Sequence, residues 1–261
     1  MGSSWIRRVA FVALGAVPAC IFLFVWEVAS RTSSRRMFLF GSPSRIASVA
    51  FQDTASGRII PHAIATFEEV VSGLALGTLA GCGVGFGLWL DRRVGKLAAP
   101  YVVIIGAVPI FAVAPQLIMW FGVGFAAKVF MSASSVFVVS LVSSNRAACA
   151  ITSAHGDWLK GIRASRWFTM RHVILPEAFR STLTLARQNV GFAILGAFIA
   201  EFVSSNRGLG YYILRAGGTF DTSRVFFGIA VLAVMALLLS CSVRLLEIAV
   251  PALRHSTPQQ Y

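Results

Sequence analysis

The sequence predicts an all-α membrane protein with six transmembrane helices. Of its 261 residues, 57% are hydrophobic and only 13% charged, a balance outside the range of ordinary soluble domains. Six apolar runs reach the roughly 20 residues that a helix needs to cross a bilayer. The one long polar stretch, Ser143 to His172, lies between two of those runs and does not form a domain of its own. Residues 1–261 therefore read as a single membrane domain.

The first run, Val9 to Ala29, is longer than a signal-peptide core and lacks a convincing small-residue cleavage site, so it reads as a helix of the mature chain. The second, Ala63 to Leu90, carries Gly73, Gly77, Gly81 and Gly85 at every fourth position. Those glycines share one helix face, where a second helix can approach closely. The third, Leu97 to Trp120, contains Pro109 and Pro115. Each removes a backbone donor, so a bend or break is expected where protein or a water-filled cavity can satisfy the freed carbonyls. The fourth run spans Gly124 to Val142, the fifth Glu177 to Phe202 and the sixth Arg224 to Leu246.

The stretch from Ser143 to His172 sets Trp158, Leu159, Ile162, Trp167 and Phe168 among arginines. Aromatic and aliphatic anchors rimmed by arginine are how protein partners hold one another. A seat in the membrane interface is the competing reading, and spacing does not separate the two.

The net charge of +13 falls between spans and forms no basic face on a soluble domain, so nucleic acid is not an expected partner. With the N-terminus inside, the cytoplasm receives Arg7, Arg8, Arg92, Arg93, Lys96, Arg146, Lys160, Arg163, Arg166, Arg171 and Arg180. The outside receives fewer, with Arg31, Arg35, Arg36, Arg45 and Arg58 against the trend, and Arg207, Arg215 and Arg224 following. This modest bias favours cytoplasmic N- and C-termini. Cys20, Cys82, Cys149 and Cys241 have no paired spacing, and His62, His155, His172 and His255 are equally dispersed. Neither a disulfide framework nor a metal site is expected, and no catalytic residues are visible.

Ionisable or amide groups at membrane depth are Glu27, Lys128, Arg187, Gln188, Asn189 and Glu201. A charge at mid-bilayer costs roughly 3 kcal/mol, so each should face a partner or a cavity. Glu27, Lys128 and Glu201 lie near span ends and can snorkel. Arg187, Gln188 and Asn189 lie about three turns into the fifth span, which makes them, with Glu201, candidates for a translocation path. Hydrogen bonding between helices is the alternative.

Segment 157–176, DWLKGIRASRWFTMRHVILP, resembles the cytoplasmic signature of the inner-membrane permease subunits of bacterial ABC importers. That signature reads Glu-Ala-Ala, three residues, Gly, nine residues, a branched aliphatic, one residue, then Leu-Pro. Val173, Leu175 and Pro176 stand at the matching distances, and Ala164, Ser165, Arg166 and Trp167 resemble the nitrate, sulfonate and taurine branch. Ser42 to Ser44, Pro109 to Gly124, Ala200 to Phe202, Arg207 to Ile213 and Val225 to Leu232 extend the resemblance along essentially the whole chain. It implies a type I importer permease fold whose signature forms a coupling helix between helices 4 and 5. Asp157, Trp158, Leu159, Gly161, Arg163, Ala164, Ser165, Arg166 and Trp167 would then contact a cytoplasmic ATPase. The implied partners are ATP-binding subunits, a second permease chain, identical or a paralogue, an extracytoplasmic solute-binding protein and membrane lipid. ATP and Mg would be bound by the ATPase and no cofactor by this chain. A bacterial inner-membrane location and a small, mostly anionic solute are also implied.

The departures are specific. Asp157 replaces the signature's Glu, Trp158 and Leu159 replace its alanines, and Arg163 stands at its glycine. If that glycine makes a left-handed turn, Gly161 is expected to take over the bend. Two other classes compete with the importer reading. A secondary transporter or channel would commonly show an inverted repeat, which the halves lack, and an embedded enzyme would need converging ligands near one face. The chain has no glycine-lysine phosphate loop of its own.

Overall fold

The computed structural model describes residues 2–154, 156–161, 163–203 and 205–249. Among them all regular structure is helical. The helices are α1 (Gly2–Arg31), α2 (Ser34–Phe40), α3 (Pro43–Ala55), α4 (Ile60–Leu90), α5 (Arg92–Ala107), α6 (Ile110–Phe121), α7 (Phe125–Ala154), α8 (Gly156–Gly161) and α9 (Arg166–Thr169). A π-helical turn, Met170–Ile174, leads into α10 (Leu175–Val203), then α11 (Leu209–Gly218) and α12 (Thr222–Ala249). The chain divides into two compact units, residues 1–60 with 212–230 and residues 61–211 with 231–261.

Among the described residues four helical stretches are long and apolar enough to cross a membrane: Ile60–Leu90, Phe125–Ala154, Thr182–Val203 and Thr222–Ile248. A bent pair, α5 with α6, makes a fifth if its two helices are one broken span. The expected first span falls in α1, where the side chains before Val17 lie outside the described residues.

The expected third span is two helices meeting at 98°. Pro109 is the cause. The residue before a proline is pushed out of helical geometry, and Val108 sits at φ −73° and ψ 121°. Pro109 then caps α6, while Pro115 stays inside that helix without ending it. The expected fourth span ends at Val142, yet α7 continues to Ala154. Its last turns pair Asn145 Nδ2 with the carbonyl of Gly85 at 3.0 Å, so the polar residues after Val142 pack on α4 and do not begin a loop.

In the larger unit the glycine stripe does what small residues do between membrane helices. A methyl group at Gly73, Gly77, Gly81 or Gly85 would overlap Ser132, Ala133, Phe137 or Ser144 of α7. Gly196 of α10 likewise abuts Met131 and Ser135. Polar side chains tie the same helices: Ser132 Oγ donates to Ala193 O at 2.9 Å and Asn189 Nδ2 to Ser140 Oγ at 2.7 Å.

In the smaller unit the Ser42-Pro43-Ser44 sequence starts α3. Ser42 caps it with Pro43 in the first turn, and Glu27 accepts from Ser44 N at 3.0 Å. Trp26 packs edge-on against Phe226 at 5.2 Å between centroids. Asp53, 1% exposed, accepts from Tyr212 Oη at 2.7 Å, Arg224 Nε at 3.1 Å and Arg58 at 3.1 Å. Burial works against the charge on Asp53, but the Tyr212 and Arg224 hydrogen bonds and the two guanidinium charges outweigh it. They hold its carboxyl below the usual range. Burial and the neighbouring Asp53 push the Tyr212 hydroxyl up, so it stays a donor.

Candidate functional site

Two assemblies in the larger unit carry the chemistry. The first is the short segment between α7 and α10. Ala164 N donates to Leu159 O at 2.9 Å and Arg163 has φ +49°. This six-to-one bond over a left-handed residue is the Schellman ending of a helix, in which Arg163 occupies the place usually held by glycine. The expectation that Gly161 takes over the bend is corrected here. Gly161 closes α8 without a positive φ, and Arg163 adopts the left-handed turn itself.

Ser165 restarts the chain by accepting from Phe168 N at 3.1 Å, and Thr169 Oγ1 donates back to Ser165 O at 3.0 Å. Arg166 then reaches α4. Its NH1 donates to Leu90 O at 2.9 Å and Trp89 O at 3.4 Å, and its guanidinium lies 5.7 Å from the Trp89 ring centroid. The last carbonyls of a helix carry partial negative charge, so a cation there satisfies and stabilises them. Trp89 in turn packs with buried Ala148 and Ile174.

The expected docking residues are sorted by this arrangement. Trp158 and Trp167 are 55% and 64% exposed, while Leu159 is buried at 7% and serves as the segment's own anchor. Gly161, Arg163 and Ser165 are exposed, and Ala164 and Arg166 half-buried. Asp157 lies in α8, and its side chain is outside the described residues.

The expected path residues do not gather at one place. Arg187 and Gln188 are exposed and Asn189 is fully buried. Among the described residues Asn189 Oδ1 has no hydrogen-bond partner. Glu201 stands twelve residues farther along α10, roughly 18 Å at 1.5 Å per residue.

Glu201 belongs to the second assembly. Thr66 Oγ1 donates to Glu201 Oε1 at 2.5 Å and Gly210 N to Glu201 Oε2 at 2.6 Å. Leu209 N donates to Thr66 Oγ1 at 2.8 Å and Gly208 N to His62 Nδ1 at 3.1 Å. Lys128 Nζ donates to Glu69 Oε1 at 2.5 Å and to Arg207 O at 3.2 Å. Side chains from α4, α7 and α10 thus satisfy the backbone from Arg207 to Gly210 where it crosses between helices. Gly208 has φ 122°, and a side chain there would strike Glu201.

Snorkelling does not describe Lys128 or Glu201, which are 4% and 0% exposed. Sequence reasoning passed over Glu69, Thr66 and His62. The signal available was the carboxylate of Glu69 inside an apolar run that also had to be matched by a cation, with Lys128 in the fourth run its only lysine.

The family model described as binding-protein-dependent transport system inner membrane component matches residues 73–255. The chain is 31% identical over 243 residues to a riboflavin transport system permease protein of Chloroflexus aurantiacus, covering 93% of this chain and 91% of that one. It is 28% identical to the taurine transport system permease protein of Escherichia coli K12, covering 71% and 68%. A formylaminopyrimidine transport permease of Halalkalibacterium halodurans shares 26%, covering 88% and 92%. Among solved structures, a chain of the inward-facing MetNI methionine ABC transporter shares the fold with a TM-score of 0.64 at 15% identity. That match covers 73% of this chain and 95% of that one.

Proposed function

The chain belongs to the binding-protein-dependent transport system inner membrane component family and is a permease of the ABC importer class. From that premise we propose that it forms, with a second permease chain, a six-span path for a small anionic solute such as a sulfonate, taurine or nitrate. Two cytoplasmic ATPases that bind ATP and Mg drive it, and an external binding protein delivers the solute. Both termini lie in the cytoplasm.

The observation that carries this reading is the exposure of Trp158 and Trp167 on a segment that buries Leu159 and is fastened by Arg166 to the end of α4. A loop that only linked two spans would not hold two exposed tryptophans on a braced frame. In the proposed cycle α8 and α9 are the coupling element. ATPase closure pushes on them, and the push reaches α4 through Arg166 and Leu90, and α10 through the π-helical turn. Arg187 and Gln188 line the path, Asn189 ties α10 to α7 beside it through Ser140, and Glu201 holds the Arg207–Gly210 crossing at one end of it.

Proteoliposomes containing this chain with any ATPase, second permease and binding protein encoded beside it test the reading. Uptake of radiolabelled taurine, an alkanesulfonate or nitrate should require ATP on the ATPase side. Uptake that instead follows an ion gradient without ATP would establish a secondary transporter.

A further inference from the structure

A cavity of about 910 Å³ opens beside the braced segment, between the end of α4, the start of α5, the last turns of α7 and the turn after α8. Its size is that of a ligand site and not of a packing defect. Lys96, Arg163 and Arg166 all line it, and among the described residues no carboxylate does. Lys96 and Arg163 are exposed, and among the described residues neither is in an ion pair. Arg166 spends NH1 on Leu90 O and Trp89 O, leaving most of its five N–H donors. The rest of the wall is largely apolar, with Leu88, Trp89 and Leu159 among it.

We propose that this cavity binds the phosphate headgroup of an anionic phospholipid. Three cations with no counter-charge among the described residues call for an anion, and the apolar wall beside them calls for an amphiphile. A free phosphate would satisfy the cations and leave the wall wet. The cavity lies at the ends of spanning helices, the level at which headgroups sit, and basic pockets between such helices recognise lipid phosphate. Since Arg163 and Arg166 belong to the segment and Lys96 to α5, a bound headgroup joins that segment to the bundle from a second side. The inference rests on the chain spanning a membrane, and its test needs no ATPase.

Cys149 lines the same cavity and is exposed, which supplies a reporter. With Cys20, Cys82 and Cys241 replaced by alanine, the full chain in phosphatidylcholine nanodiscs is treated with N-ethylmaleimide, with and without phosphatidylglycerol in the discs. Phosphatidylglycerol should slow modification of Cys149, and the K96Q/R163Q variant should lose protection, by about five-fold for each cation removed. The charge-keeping K96R/R163K variant should retain it. Unchanged rates, or slowing that persists in K96Q/R163Q, overturn the proposal. Slowing by inorganic phosphate in pure phosphatidylcholine discs also overturns it, by assigning the cavity to a soluble anion.

Discussion

Arg166 donates to the carbonyl oxygen of Leu90 at 2.9 Å, so the segment that exposes Trp158 and Trp167 is fixed to the last residue of α4. That single side chain also faces the Trp89 ring and the Trp89 carbonyl. It connects an exposed surface to the helix carrying the glycine stripe against α7.

Replacing Arg166 with alanine leaves two terminal carbonyls without their cation. A hydrogen bond to a charged donor contributes about 2 kcal/mol. Hydrogen–deuterium exchange over residues 156–169 should therefore accelerate by one to two orders of magnitude while the long helices stay protected, at roughly 1.4 kcal/mol per tenfold. Unchanged exchange there would show that Leu159 alone holds the segment.

Arg163→Gly relieves a left-handed residue with a side chain, whose cost is roughly 1 kcal/mol. The variant should melt at a higher temperature than the parent and still retain the ATPase. A lower melting temperature would mean that the Arg163 side chain contributes more than its backbone costs.

Lys128 and Glu69 are 4% and 1% exposed, so removing one leaves the other charged and buried. Lys128→Met should destabilise the chain by about 3–5 kcal/mol, and adding Glu69→Leu should recover part of that loss. Thermal unfolding in detergent measures both. Additive losses would contradict direct pairing.

Asp53 gives a pH dependence whose sign follows from its lowered carboxyl. Its folded-state value lies below the unfolded one near 3.9, so its stabilisation is present above about pH 4 and is lost as pH falls through the folded value. Asp53→Asn should therefore unfold at a lower temperature than the parent at pH 7, with the gap shrinking below about pH 4. A gap that stays constant down to the acid limit would show that shape, not charge, is what Asn fails to supply.

Four of the six expected spans, and the bent pair in place of a third-span helix, were legible because period and length act locally: the glycines at every fourth residue and Pro109 each impose their geometry on their own segment. Val142 was a poor end point because Ser143, Ser144 and Asn145 are polar, yet packing on α4 makes them helix. The left-handed turn was expected from a glycine position, but not that Arg163 would adopt it, since tertiary anchoring by Leu159 and Arg166 outweighs a penalty of about 1 kcal/mol. The cluster of His62, Thr66, Glu69, Lys128 and Glu201 joins three helices across more than a hundred residues. Nothing in the spacing of one segment announces such a set.

We propose that the ATPase binds at the braced segment. Co-expression of this chain with the ATPase and any second permease encoded beside it, followed by pull-down, measures it. Retention of the ATPase by the parent and its release by Trp158→Asp, with α7 and α10 exchange protection unchanged, is the predicted result. An ATPase retained equally by Trp158→Asp and Trp167→Asp, or by no pairing at all, would place ATPase binding elsewhere or nowhere on this chain.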